Sequence, residues 1–263
     1  MKITLFTSNK IRHNYLINLM SEVSDQLFVI QECDTDLQGV ENKIHQTPQI
    51  LKKYFDYVNN AQLQLFSNPS FTNNKKKNIK FLSISAGDLN KCSMHSLTNF
   101  LKSDIYIIFG SSYIKGELVE FLVKKKAINI HAGVSPFYRG SACNFWALYD
   151  NNPHLVGSTI HLLSKGLDSG PILYHAMSNL KTDPFEYTMS TVKSAFHSIV
   201  ERIKDGSIFK IKPITQDKKK ELRYSKKNEF NEEIVKNYFE KEINLNKKFD
   251  KSLLKDPFFY FIS

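Results

Sequence analysis

Apolar runs of strand length alternate with amphipathic stretches along the first half of the chain. Lys2–Thr7 reads as a strand, and Asn14–Val23 as a helix with Leu16, Ile17, Met20 and Val23 on one face. Leu27–Glu32 is a second strand. Residues 36–77 read as an insertion. Within it a helical stretch from Gln49 to Phe66 carries Ile50, Leu51, Tyr54, Phe55 and Val58, and the polar stretch Ser67–Lys77 follows. Lys80–Ser85 is a third strand and Met94–Lys102 a helix. Asp104–Phe109 is apolar almost throughout, as a central parallel strand is. A short helix, Lys115–Lys124, and the strand Ala127–His131 complete a βαβα rhythm. That rhythm predicts an α/β fold: an open, mostly parallel sheet with helices on both faces.

After residue 140 the rhythm changes. Cys143–Tyr149 reads as a helix. Val156–Leu163 and Pro171–Met177 are strand-like, and the loop Lys165–Gly170 between them predicts an antiparallel pair. A long helix starts at Asp183-Pro184-Phe185-Glu186. Asp183 suits the N-cap, Pro184 the first helical position, and Glu186 a reciprocal capping box. Met189, Val192, Phe196, Ile199 and Ile203 form its buried stripe, and Gly206 ends it. Beyond Gly206 the chain is Lys-rich, with a helix expected over 232–242. The apolar terminus Pro257–Ile262 needs cover from the main domain or from a second copy, so a homodimer is open.

A chain of 263 residues accommodates one large domain and an appendage. The net charge of +10 suits an anionic partner such as a nucleotide, a phosphate, a folate or RNA. Much of the excess sits in short Lys runs at 75–77, 124–126 and 218–220. Such runs read as solvated surface and argue against a dedicated nucleic-acid face. No apolar run approaches the ~20 residues of a membrane-spanning helix, and the first residues read as a strand rather than a signal peptide. A cytoplasmic protein with no membrane partner is expected. Cys33, Cys92 and Cys143 are widely spaced, giving neither a metal pattern nor a disulfide framework. His13, His45, His95, His154, His175 and His197 show no metal-ligand spacing and read as structural or exposed, so no metal is expected.

Chemistry concentrates in Asn129-Ile130-His131 through Gly140 and in Gly166-Leu167-Asp168-Ser169-Gly170-Pro171. Residues i and i+2 of a strand point to the same side, so Asn129 and His131 share a face at the strand's carboxyl end. That edge is where open α/β sheets bind ligands. Asp168 lies in a turn that backbone amides can hold. An amide can donate to a developing oxyanion, an imidazole can move a proton, and a carboxylate can orient the imidazole. Tyr138 and Arg139 are candidate ring and anion contacts. His161 alternates with apolar neighbours, which fits a core histidine or a partner of the site.

Asn129-Ile-His131, Ser135-Pro-Phe-Tyr138-Arg-Gly140, Val156-Gly-Ser-Thr-Ile-His161 and Asp168-Ser-Gly-Pro171, in this order and spacing, resemble the folate-dependent formyltransferase family. The likeness covers residues 104–177, with a looser fit over the first 33. It implies a Rossmann-like catalytic domain, residues 1–206, followed by a basic extension, 207–263. It also implies 10-formyltetrahydrofolate as co-substrate and Asn129, His131 and Asp168 as the catalytic trio, with a protonated His131 stabilising the oxyanion. Phe109, Gly110, Ser111, Ser112, Tyr113 and Ile114 match the segment that packs along the pterin, with Gly166 and Leu167 on the opposite wall. Ser8, Asn9 and Arg12 of the first-strand turn join Tyr138 and Arg139 as expected contacts of a small-molecule amine acceptor. The turn lacks the Gly-rich phosphate loop of the purine enzyme, and few residues remain after Gly206 for an RNA-gripping domain. An amino-sugar nucleotide is therefore the expected acceptor. A methionyl-tRNA enzyme, a formyltetrahydrofolate hydrolase and a non-enzymatic anion-binding module stay open.

Overall fold

In the computed structural model, residues 1–34, 48–67, 78–245 and 251–261 are described. The flanks of the 36–77 insertion, including His45 and Lys75–Lys77, lie outside them, as does Ile262. Among the described residues the sheet has eight strands: β1 (Lys2–Ser8), β2 (Gln26–Cys33), β3 (Ile79–Ser85), β4 (Ile105–Ile108), β5 (Ile128–His131), β7 (Ser158–Leu162), β8 (Ile172–Ser178) and β10 (Phe258–Tyr260). Two short strands, β6 (Tyr138–Gly140) and β9 (Arg223–Ser225), pair separately. The sheet order is β10-β8-β7-β5-β4-β1-β2-β3. Pairing is parallel except where β7 runs antiparallel to β5 and β8, so the expected mostly parallel sheet and its antiparallel pair are both present.

Alternation along the strands builds two cores. Ile3 and Leu5 of β1, Leu27 and Val29 of β2, and Ile105 and Ile107 of β4 pack on one face. There they meet α1 (Ile11–Glu22) and the long α6 (Pro184–Lys204). Phe6, Ile30, Tyr106 and Ile108 point the other way, toward α3 (Met94–Leu97) and α4 (Gly116–Lys124). A third, aromatic-rich cluster joins α2 (Gln49–Phe66), α5 (Cys143–Tyr149), the start of α6 and α7 (Glu232–Glu240).

Local signals account for the long helix. Asp183 caps α6 by accepting from the Glu186 amide at 2.7 Å. Glu186 does not reach back as a capping box would; its carboxylate pairs with Lys181 at 3.2 Å. Val192, Phe196, Ile199 and Ile203 are buried, and Met189 partly so. The apolar terminus adds β10 beside β8, which leaves Phe258–Tyr260 half-buried and Phe261 exposed. The helix α1 starts at Ile11, earlier than the apolar stripe alone suggested, because the extended Lys10 turns directly into it.

Candidate active site

The carboxyl end of β5 presents Asn129 and His131. Antiparallel pairing with β7 sets Asn129 opposite His161 and His131 opposite Thr159. The His161 Nδ1–H donates to the Leu162 carbonyl at 2.8 Å, which leaves Nε2 as an acceptor. The Asn129 amide donates to that Nε2 at 3.0 Å. Of the two readings open for His161, the structure selects a partner of the site. Asp168 enters from the β7–β8 loop with φ +46. One carboxylate oxygen lies 3.4 Å from both the Asn129 amide nitrogen and His131 Nδ1, and the other accepts from the Gly140 amide at 3.3 Å. Gly140 is required where it stands: its φ is +95, and a Cβ would lie 2.1 Å from the Ser225 carbonyl oxygen.

Burial alone would raise the Asp168 pKa, but the imidazoles of His131 and His161 outweigh it and hold the carboxyl at about 2. Asp168 is therefore ionised at neutral pH. Burial pushes His131 below the usual histidine value, against the pull of Asp168. Burial thus disfavours the expected imidazolium, and the Asp168 charge favours it. The His131 Nε2–H donates to the Tyr138 carbonyl at 3.1 Å, and Nδ1 faces the Asp168 carboxylate at 3.4 Å, so a proton taken up on Nδ1 lies between the two. That is a proton-receiving arrangement.

These groups line a cavity of about 740 Å3. Phe109, Gly110, Ser111, Ser112, Tyr113 and Ile114 line it, as do Gly166 and Leu167 on the other side. The buried Glu32 holds the first of these loops by accepting from the Ser112 amide at 2.5 Å. The Tyr113 hydroxyl bridges to the Lys165 carbonyl across the opening.

Of the five expected acceptor contacts, only Arg12 lines the cavity. The Ser8 amide and hydroxyl meet His13 Nδ1. Asn9 pairs with the Asp34 backbone through both ends of its amide. The Tyr138 ring is buried, with its hydroxyl at Asp150 and Asn152. Arg139 is held by Glu221 at 2.7 Å and by the Leu167 carbonyl at 2.8 Å. These four side chains are held by partners within the protein. Burial lowers Arg12 to about 10, and its guanidinium meets a neutral amide oxygen, that of Gln62, at 2.5 Å.

His13, read from the sequence as structural or exposed, is buried against Phe109 and Gly110 and borders the cavity, and Leu51, Phe55, Val58 and Phe230 add an apolar wall that the sequence did not reveal. The α2 stripe was visible, but its facing the cavity depends on Phe230, distant in sequence. Cys143 also lines the cavity; burial pushes its thiol up, so it is an inert wall residue.

An amide, an imidazole and a carboxylate at the carboxyl edge of an open sheet are the equipment of a group-transfer enzyme. The sequence model of the Formyl transferase family matches residues 60–203, more than half of the chain, and the chain belongs to that family. A 73-residue stretch is 34% identical to the methionyl-tRNA formyltransferase of Thermosynechococcus vestitus, covering 28% of this chain and 22% of that protein. The corresponding protein of Thermotoga maritima is 28% identical over 127 residues, 46% of this chain and 40% of that one. The match therefore spans less than half the length of these relatives. Among solved structures, the formyltransferase PseJ from Anoxybacillus kamchatkensis, in complex with UDP-4,6-dideoxy-4-formamido-L-AltNAc and tetrahydrofolate, shares the fold. Its TM-score is 0.50, with 20% identity and 87% of each chain covered. A sugar N-formyltransferase from Shewanella gives 0.53, at 16% identity, over 88% of this chain and 78% of that one.

Proposed function

We propose that this enzyme moves the formyl group of 10-formyltetrahydrofolate to a primary amine on an amino-sugar nucleotide. The observation that carries the reading is the convergence of Asn129 and His131 on the Asp168 carboxylate, each at 3.4 Å, on the wall of one cavity. The folate supplies an acyl group already activated on nitrogen. Asn129 donates to the formyl oxygen as negative charge builds there. It gives up its long contact to Asp168 for this, while His161 keeps the other amide hydrogen. Neutral His131 and ionised Asp168 hold the incoming amine and take its proton. The new carbon–nitrogen bond forms, the bond to the folate nitrogen breaks, and His131 returns the proton to the departing nitrogen.

The residues suit a reduced pterin between the 109–114 and 166–168 loops, where Ile108, Ile114 and Leu163 add apolar wall. Arg12 and Lys227 supply positive charge on the acceptor side, and Phe55 and Phe230 supply flat apolar surface. An anionic molecule with a ring system, such as a nucleotide, fits that pair of features. The sugar-nucleotide complex of PseJ supports the same acceptor class.

The test is transfer in vitro, with 10-formyltetrahydrofolate and a panel of amino-sugar nucleotides, glycinamide ribonucleotide and methionyl-tRNA, read by mass spectrometry. A formylated amino-sugar nucleotide is expected, with an Arg12→Leu variant raising the acceptor KM at least about tenfold through loss of a charge-assisted contact. Product from methionyl-tRNA alone would replace the acceptor, and loss of formyl to water without any acceptor would replace the reaction with hydrolysis. No turnover with any of them would remove the reading.

The Asn129 orientation makes a separate prediction. His161→Phe removes the acceptor that holds the amide and is expected to lower kcat about 10- to 100-fold through misplacement. His161→Gln, which keeps an acceptor, retains most of it. Equal rates in both variants would refute this role for His161.

A further inference from the structure

Between Lys212 and Lys220 every residue is exposed except Gln216. Its side chain turns inward and donates from Nε2 to two backbone carbonyls, Asp168 and Gly170, each at 2.8 Å. A flipped amide would set oxygen against two carbonyl oxygens, so this orientation is fixed by its partners. The segment is pinned there because Ile214 and Ile172 exchange both backbone hydrogen bonds, at 2.7 and 2.9 Å.

The turn that receives these bonds needs them. Asp168 has φ +46, a left-handed conformation that a residue with a Cβ disfavours. Arg139 grips the neighbouring Leu167 carbonyl while Glu221, five residues beyond Gln216, grips Arg139. Three carbonyls of residues 167–170 are thus held by side chains, two of them by Gln216 itself. The Asp168 carboxylate meets His131, Asn129 and Gly140 at 3.3 to 3.4 Å, near the outer limit of a hydrogen bond. A small drift of the turn breaks all three contacts together.

We propose that Gln216 is a positioning residue for formyl transfer, setting the Asp168 carboxylate against His131 and the Gly140 amide from outside the cavity. This inference rests on the reaction proposed above. Gln216 does not line the cavity, so its contribution falls on turnover and not on affinity.

The experiment compares Gln216→Met and Gln216→Glu with the parent enzyme, using 10-formyltetrahydrofolate and the acceptor found with the panel. Both variants keep the length of the side chain and neither donates as the amide does. The expected result is a kcat lower by about 10- to 100-fold in both, the loss that misplacement by up to an ångström gives. KM for both substrates should stay within about threefold, as for a group acting only on the chemical step. A kcat held within about twofold, or a raised KM at unchanged kcat, overturns the proposal. So does a loss confined to Gln216→Glu, which would trace to its added charge.

A second readout does not depend on turnover. In Gln216→Met the His131 midpoint, followed by NMR on labelled imidazole, is expected below that of the parent, because the Asp168 charge that raises it has moved away. An unchanged midpoint overturns the positioning role even if the parent transfers no formyl group, so the two failures are distinguishable.

Discussion

Asp168→Asn is expected to lower kcat by about 10³ while leaving the fold in place, since a positioned acid–base group contributes about 10²–10⁴. The substitution is nearly isosteric. An Asn oxygen can still accept from the Gly140 amide, so the turn keeps that bond. What disappears is the charge, which is present in the native site throughout the working range because the carboxyl sits at about 2. Without it His131 loses the neighbour that raises its pKa, and burial drives the ring further toward neutrality. The proton taken from the amine then has nowhere favourable to reside. His131→Ala is expected to cost a similar factor. The double variant should cost little more than either single one, because the two act as a unit. Steady-state kcat with formyl folate, beside thermal melts of each variant, measures this. A kcat for Asp168→Asn within about tenfold of the parent would sink the acid–base assignment.

The parts of this site that were legible in the sequence are those set by local geometry. Asn129 and His131 fall on one face because strand side chains alternate, and Asp168 announces itself by the glycines on either side. The mostly parallel sheet followed from the apolar runs for the same reason. Side chains whose direction depends on distant partners were not legible: Asp34, Asp150 and Glu221 decide where Asn9, Tyr138 and Arg139 point. His161 could be placed only once the register of β7 against β5 was known. The segment from Ile214 to Ser225 had no readable period, because it acts through single hydrogen bonds. Ile214 bonds to Ile172, Gln216 to the Asp168 turn, and Ser225 to the Arg139 and Ser141 carbonyls. Division of the chain near Gly206 follows composition, whereas these bonds join the two sides of it around the Asp168 turn.

Acidification is expected to destabilise this protein before its carboxylates are titrated. His13 is enclosed beneath Gly110 and Phe109, and burial with the charges of Arg12 and Lys10 drives its pKa from 6.5 to about 2. The Ser8 amide can only donate, so Nδ1 must stay an acceptor and the ring stays neutral. His131 and His175 are buried and lowered as well, and the less buried His197 falls to about 4. All four have folded values below the unfolded one. Under pH 6.5 the unfolded chain therefore binds more protons than the native one, and stability drops as pH falls. For His13 alone, going to pH 5 costs about 2 kcal/mol, a sizeable part of the ~5–15 kcal/mol that holds a typical domain together. His131 and His175 add in the same direction, and His197 adds less because water screens it. Asp168 contributes with the same sign only below about pH 4, where the unfolded carboxyl protonates and the native one, at about 2, does not. Urea titrations at pH 7.5, 6.5, 5.5 and 5.0 should show the midpoint falling steeply below 6.5. In His13→Asn, which cannot charge, the slope should be shallower. A midpoint independent of pH from 7 to 5 would mean that these histidines find water or a counter-charge in the native state.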